Sequence, residues 1–280
     1  MKFAICQELF EGWTWERQCR FAAELGYAGL EVAPFTIAPR IEEAGAALLD
    51  AMRATAEREG VRIIGLHWLL AKTTGLHLTS RDEATRQATA DYLAALAEAC
   101  ARLGGDLMVL GSPQQRNLAE GMPREEGVRL ACDVFRRCLD RVAACRVRIC
   151  LEPLTPKETN FINSCAEAME IIDRLNHPAL CLHQDVKAML AESLPIPDLI
   201  RQYAGRVGHF HVNDGNLLGP GMGPTDYAPI LRALLETRYP GYVSVEVFDY
   251  SPGAERIARE SIEYLQRVLK SVAGAGPRSA

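Results

Sequence analysis

The sequence predicts a single (β/α)8 TIM barrel, in which eight parallel strands alternate with helices around a closed sheet. Short apolar runs typical of strands recur eight times, and amphipathic stretches with apolar residues three and four positions apart separate them. The main alternative is a doubly wound open sheet, which usually carries a glycine-rich phosphate turn after the first strand. Here that turn reads CQELFEGWTW and has no such motif.

The expected strands are, in order, KFAIC (2–6), AGLEV (28–32), RIIGL (62–66), DLMVL (106–110), VRICL (147–151), LCLHQ (180–184), VGHFHV (207–212) and YVSVEV (242–247). Helices are expected between them, for example in ERQCRFAAELG, ATRQATADYLAALAEACARLG and REEGVRLACDVFRRCLDRVAAC. Several end in a glycine just before the next strand, which is typical of a helix C-cap. We predict one barrel domain over residues 1–272 and a disordered tail over 273–280.

Composition argues against several classes of protein. The 280 residues carry a formal net charge of −5 with no block of like charge, which disfavours nucleic-acid binding. No apolar run is long enough for a membrane span, and the N-terminus lacks a signal-peptide hydrophobic region. Nine cysteines without a C-x-x-C pair predict reduced thiols and a cytoplasmic protein. A homo-oligomer is compatible with the sequence.

Polar residues lie at or just after seven of the eight expected strands. The carboxyl ends of barrel strands carry the chemistry of this fold, so these side chains should meet at one mouth. A single polar strand end means little, whereas a series that converges on one face is difficult to explain by chance. The seven residues are Glu31, His67, Ser112, Glu152, Asp185, His211 and Glu246.

The last four strands supply the residues of a candidate metal site. Glu152, Asp185, His211 and Glu246 would point at one spot, where three crowded carboxylates could not all stay ionised. A divalent cation resolves the conflict. Three oxygen ligands and one imidazole suit Mn²⁺, which we expect, with Mg²⁺, Co²⁺ and Fe²⁺ as alternatives. His183 and His209, taken alone, are interpreted as satisfied core histidines.

The segments LEPLTPKETNFINS, HFHVNDGN, GPGMGPTDY and GYVSVEVF resemble the xylose-isomerase-like superfamily of sugar isomerases and epimerases, nearest to the ketose 3-epimerases. GSPQQR (111–116) is similar to a stretch after the fourth strand of that family. The resemblance implies that Glu152, Asp185, His211 and Glu246 bind the metal, that Glu152 and Glu246 also act as acid and base, and that Glu158 contacts the sugar. It also implies that the metal stabilises an enediolate formed next to the ketone.

Two departures from this family affect residues that would contact the sugar. Ala188 stands where the family has a sugar-binding histidine, and Leu217 stands where its epimerases have an arginine. Lys187, beside the first departure, is a candidate replacement, and an exposed loop lysine is an equally acceptable interpretation. We therefore expect Glu158, Lys187, His67, Ser112 and Glu31 to bind a carbohydrate that is not a plain ketohexose.

The leading functional prediction is a metal-dependent epimerase or isomerase that acts on a sugar or keto-sugar. A lyase that removes a group β to a ketone would share the first steps and stays open. A DNA-repair endonuclease on this barrel needs a basic groove and more site histidines than the six in the whole chain allow. Retention of both Glu152 and Glu246 argues against a non-catalytic sugar-binding barrel.

Overall fold

The computed structural model describes residues 1–274 and shows a closed barrel whose eight strands follow one another in chain order. All neighbouring strands are parallel, and the first pairs with the last, Ile5 opposite Val245. The predicted TIM barrel is therefore confirmed. The strands are β1 Lys2–Cys6, β2 Gly29–Val32, β3 Arg62–Leu66, β4 Leu107–Leu110, β5 Arg148–Leu151, β6 Leu180–Asp185, β7 Val207–Val212 and β8 Tyr242–Val245.

Helices connect the strands and cover the outside of the barrel. They are α1 Trp15–Leu25, α2 Ala46–Glu59, α3 Glu83–Leu103, α4 Arg124–Ala144, α5 Cys165–Leu175, α6 Val186–Met189, α7 Ile196–Gln202, α8 Tyr227–Glu236 and α9 Ala254–Gly274. Helix α3 shows how the local sequence sets their limits. The Asp82 carboxylate accepts a hydrogen bond from the Thr85 backbone N–H at 2.9 Å, and Gly104 at φ 90° ends the helix as predicted.

The observed boundaries differ from the predicted ones by at most two residues at the strands. Strand β6 continues to Asp185, and β8 ends at Val245 instead of residue 247. Ala273 and Gly274, which the prediction placed in a disordered tail, belong to α9. The remainder of that predicted tail, residues 275–280, lies outside the described residues.

The barrel interior changes from apolar to polar toward the carboxyl ends of the strands. Leu107, Val109 and Cys150 form an apolar cluster inside the barrel, packed against Cys181. Side chains two positions apart on a strand point the same way, so the next inward residue of β6 after Cys181 is His183. The polar mouth of the barrel thus lies above a packed apolar interior.

The nine cysteines all fall within the described residues and are free thiols. Among residues 1–274, no helix combines the length and the apolar character that crossing a bilayer requires.

Candidate metal centre and active site

The seven polar strand-end residues meet at the carboxyl end of the barrel. Four of them, His67, Ser112, Glu152 and Glu246, line a cavity of about 90 Å³. Asp185 and His211 lie beside Glu152, and Glu31 contacts His211 from below. The seven side chains therefore lie at the same mouth of the barrel.

Three of the four predicted metal ligands converge tightly. The ligand atoms of Glu152, Asp185 and His211, together with those of His183, all lie within 4.8 Å of one another. Two atoms bound to the same divalent ion at roughly 2.0–2.6 Å can be separated by up to about 5 Å. This group of carboxylates and imidazoles therefore fits a single divalent cation.

The fourth predicted ligand, Glu246, joins this group through His211. One carboxylate oxygen of Glu246 lies 3.0 Å from His211 Nδ1, and the other accepts a hydrogen bond from Trp68 Nε1 at 3.0 Å. Glu246 also lies within 4.8 Å of a second set of possible ligand atoms, from Cys6, Glu8 and His67. Its two oxygens are therefore held in fixed directions at the edge of the cavity.

The charges of the site are unfavourable without a cation. Burial, followed by the charges of Glu246 and Asp185, raises the pKa of Glu152 well above its ordinary value. Burial also raises the pKa of Asp185. For Glu246 burial acts in the same direction, but the adjacent His211 outweighs it and the pKa is lowered. A divalent ion would allow all three carboxylates to ionise together.

Glu31 does not occupy the position expected of a substrate-binding residue. It is fully buried and does not line the cavity. Its carboxylate lies 2.7 Å from His209 Nε2 and 3.1 Å from His211 Nε2. Burial would raise the pKa of Glu31, but the two histidines lower it well below its ordinary value. Glu31 therefore orients the His209 and His211 rings.

The two polar residues expected to replace the missing sugar contacts pair with each other. Lys187 Nζ lies 2.7 Å from Glu158 Oε1 and 3.8 Å from the centre of the Phe248 ring, and both residues line the cavity. Ala188 is buried, and its backbone N–H donates to Asp185 Oδ1 at 2.9 Å. The Ala188 side chain offers no polar group, and Ala188 is not among the residues that line the cavity.

The other residues considered for substrate binding differ in how neighbouring groups hold them. His67 Nε2 lies 2.6 Å from Glu8 Oε2, which fixes the ring while it lines the cavity. Ser112 Oγ accepts a hydrogen bond from the Leu70 backbone N–H at 3.0 Å. Leu217 is 42% exposed, and its carbonyl accepts from the Phe248 N–H at 2.9 Å. Leu217 thereby helps to place the loop that carries Phe248.

Several residues of the site were not singled out from the sequence. Arg116 is fully buried and donates to the Glu152 carbonyl at 2.6 Å and the Leu110 carbonyl at 2.5 Å. Asn213 Nδ2 donates to Asp185 Oδ2 at 2.5 Å. Both lie in segments quoted for the family resemblance, GSPQQR and HFHVND. The resemblance therefore included Arg116 and Asn213 but assigned no role to either residue.

The family described as "Xylose isomerase-like TIM barrel" matches residues 19–268. The chain belongs to this family. A D-psicose 3-epimerase from Enterocloster bolteae is 32% identical over 104 residues, which cover 37% of this chain and 35% of that protein. The fructoselysine 3-epimerase of Escherichia coli O157:H7 is 23% identical over 265 residues, 91% of this chain and 93% of that protein.

A solved structure with the same fold is that of a 3-keto-D-glucoside 4-epimerase from E. coli. It superposes with a TM-score of 0.83 at 18% sequence identity and covers 95% of this chain and 99% of that one. At this identity the likeness concerns the fold. The predicted resemblance to the xylose-isomerase-like barrels and to ketose 3-epimerases is confirmed by these comparisons as a whole.

Proposed function

We propose that this chain is a divalent-metal-dependent epimerase or isomerase of a sugar or keto-sugar. The observation that carries the proposal is that two carboxylates, Glu152 and Glu246, line one cavity beside a convergent set of metal-binding side chains. Such a pair is what proton removal and return at a carbon next to a ketone requires. The epimerase relatives support the same reaction class.

The residues that would hold the metal are Glu152, Asp185, His211 and Glu246. The ligand atoms of Glu152, Asp185 and His211 converge, and Glu246 lies 3.0 Å from His211 Nδ1. The raised pKa values of Glu152 and Asp185 in their crowded and buried setting also fit a cation at this position. When bound, the ion supplies positive charge that polarises the ketone and stabilises charge developing on its oxygen. Mn²⁺ is the expected ion, with Mg²⁺, Co²⁺ and Fe²⁺ as alternatives.

Glu152 and Glu246 then act as the proton carriers. One carboxylate removes the proton from the carbon beside the ketone, and the other returns a proton to the opposite face, which inverts that carbon. Each of the two carboxylates is held in place by a neighbouring residue. Trp68 Nε1 donates to Glu246, and Gly111 packs directly against the carboxylate of Glu152. A fixed direction matters because proton transfer requires close and aligned approach.

The cavity lining favours a substituted keto-sugar over a free ketohexose. Glu158 and Lys187 offer charged hydrogen-bonding groups, while Leu154, Trp68 and Phe248 give an apolar wall. Ala188 and Leu217 remove two polar groups that the resemblance assigns to recognition of the sugar. One relative is named for a substituted keto-sugar, fructoselysine, which is consistent with this preference.

Metal analysis and proton exchange test the proposal together. The protein is loaded with Mn²⁺ and incubated in D₂O with free ketoses and a 3-keto-glycoside, and products are followed by NMR. Deuterium at the carbon next to the ketone, with inversion, is expected. Loss of the β-substituent would identify a lyase instead. Metal-loaded, folded protein that exchanges no proton in any of these substrates would contradict the proposal.

A further inference from the structure

A second layer of buried histidine lies directly beneath the candidate metal centre. His183 is two residues before Asp185 on β6, so its side chain points into the barrel one level deeper. The ring is fully buried, and neither ring nitrogen has a hydrogen-bond partner among residues 1–274. Leaving a buried polar group unpaired is unfavourable, so such a ring calls for an explanation.

The position of the His183 ring offers an explanation for its unpaired nitrogens. Its Nε2 lies 3.9 Å from Glu152 Oε1, which is too far for a hydrogen bond but within the separation of two ligands on one ion. Its ligand atom lies within 4.8 Å of those of Glu152, Asp185 and His211. The His183 and His211 rings are 4.3 Å apart at 76°, so their nitrogens can approach one point from different directions.

His209 provides the contrast within the same layer. It precedes His211 by two residues on β7, as His183 precedes Asp185 on β6. The His209 ring, however, is tied to Glu31, with Nε2 2.7 Å from the carboxylate, and it belongs to none of the groups of convergent ligand atoms among residues 1–274. Of the two deeper histidines, His183 is the one with a free nitrogen beside the metal-binding carboxylates.

We propose that His183 is a further ligand of the metal ion, so that the ion is bound by two imidazoles instead of one. The inference rests on the proposed metal-dependent function and adds a ligand that the sequence alone predicts to be a core residue. Imidazole nitrogen favours Zn²⁺, Co²⁺ and Fe²⁺, whereas Mg²⁺ and Mn²⁺ prefer oxygen ligands. The additional ring should therefore shift the metal preference of this site away from Mn²⁺.

The direct test counts nitrogens in the full-length protein. Pulsed EPR of the Mn²⁺-loaded protein should detect two coordinated imidazoles, and a Zn²⁺-loaded crystal structure should place His183 Nε2 at about 2.0–2.1 Å from the ion. Metal bound through one imidazole, with His183 only hydrogen-bonded to Glu152, would overturn the inference and leave the proposed function standing. Failure to bind any divalent ion would overturn both.

Matched variants test the preference for the metal. His183→Gln should lower the affinity for Zn²⁺ by on the order of 100-fold and the affinity for Mn²⁺ clearly less, measured by competition titration. His209→Gln, in the same layer, should lower the affinities for Zn²⁺ and Mn²⁺ by similar factors. Both factors should be smaller than the loss of Zn²⁺ affinity in His183→Gln. Equal losses for both metals in His183→Gln would count against direct ligation. If that variant does not fold, as judged by circular dichroism, the nitrogen count on the unaltered protein decides the question.

Discussion

Gly111 and the carboxylate of Glu152 are packed so closely that no side chain fits between them. Gly111 follows directly after β4, and a Cβ atom built on it would overlap Glu152 Oε2. Glu152 itself follows β5, the neighbouring strand. Because Gly111 has no side chain, the Glu152 side chain can adopt its observed rotamer.

The first prediction is that Gly111→Ala displaces the Glu152 carboxylate. Affinity for the divalent ion should fall by about 10–100-fold, as when a supporting contact of a metal ligand is lost. The measurement is isothermal titration with Mn²⁺ on protein whose fold is checked by circular dichroism. Gly45→Ala is the control, because nothing lies within 4 Å of a Cβ there and its φ is −62°. Unchanged affinity in Gly111→Ala would mean that the carboxylate is not needed in its observed place.

Arg116 ties the ends of β4 and β5 together beneath this carboxylate. Its two terminal nitrogens each donate to a backbone carbonyl, those of Glu152 and Leu110. Burial lowers the pKa of Arg116 to about 10, so the guanidinium is still charged at neutral pH. The arginine therefore positions Glu152 through the main chain.

The second prediction is that Arg116→Met destabilises the barrel. The buried Glu152 carbonyl would lose its donor, whereas the Leu110 carbonyl would keep the Glu152 N–H, so the free energy of unfolding should drop by about 1–3 kcal/mol. Urea unfolding in excess chelator measures this without a contribution from metal. Arg62→Met is the matched control, since Arg62 also donates to a carbonyl, that of Gly104, but is 56% exposed. A change below about 0.5 kcal/mol, as for ordinary surface substitutions, would contradict the positioning role.

The barrel could be predicted from the sequence because its signals are local. Strand-like runs, helical periods and C-cap glycines such as Gly104 each occupy a few consecutive residues. The residue at or just after the end of each strand could also be identified from the sequence. This predicts that Glu152, Asp185, His211 and Glu246 are neighbours. Chain-local patterns thus predicted which side chains lie together at one mouth of the barrel.

Depth inside the barrel could not be predicted in the same way. The sequence predicts Glu31 as a substrate-binding residue, but the register between β2 and β3 shifts at Leu30 and Glu31, and the Glu31 carboxylate contacts His209, 178 positions away. Arg116 reaches a carbonyl 36 positions away. Such contacts depend on strand stagger and on the packing of several elements, neither of which a run of consecutive residues records.

The third prediction concerns the two proton carriers. Glu152→Gln and Glu246→Gln keep the shape of each side chain but remove its ability to carry a proton. Turnover should fall by about 10²–10⁴-fold in each variant, with metal occupancy confirmed by elemental analysis. Glu255→Gln, at a side chain that is 63% exposed, is the control. Normal exchange of the substrate proton with solvent in Glu246→Gln would exclude a two-base scheme and favour a one-base isomerase.

Lys187 is held in the cavity by two contacts of different kinds. Its ammonium lies 2.7 Å from Glu158 Oε1 and 3.8 Å from the centre of the Phe248 ring. Burial would lower the pKa of Lys187, but Asp185 and Glu158 outweigh it and the pKa is raised, so the side chain is charged. A substrate oxygen that enters here meets a charged donor and a charged acceptor side by side.

The last prediction is that Lys187→Met alters recognition of the substrate more than the proton transfer itself. Methionine keeps much of the apolar contact with Phe248 but offers no charged donor, and a hydrogen bond to a charged group contributes about 1.5–3 kcal/mol. For a 3-keto-glycoside, kcat/KM should fall by about 10–100-fold, mainly through KM, with Mn²⁺ affinity retained. Glu158→Gln should show a similar loss, and the double variant should lose less than the product of the two, because the residues act as a pair. Fructose and tagatose should be poor substrates throughout. Efficient turnover of these free ketohexoses, undiminished by Lys187→Met, would show that Ala188 and Leu217 have not changed what the cavity selects.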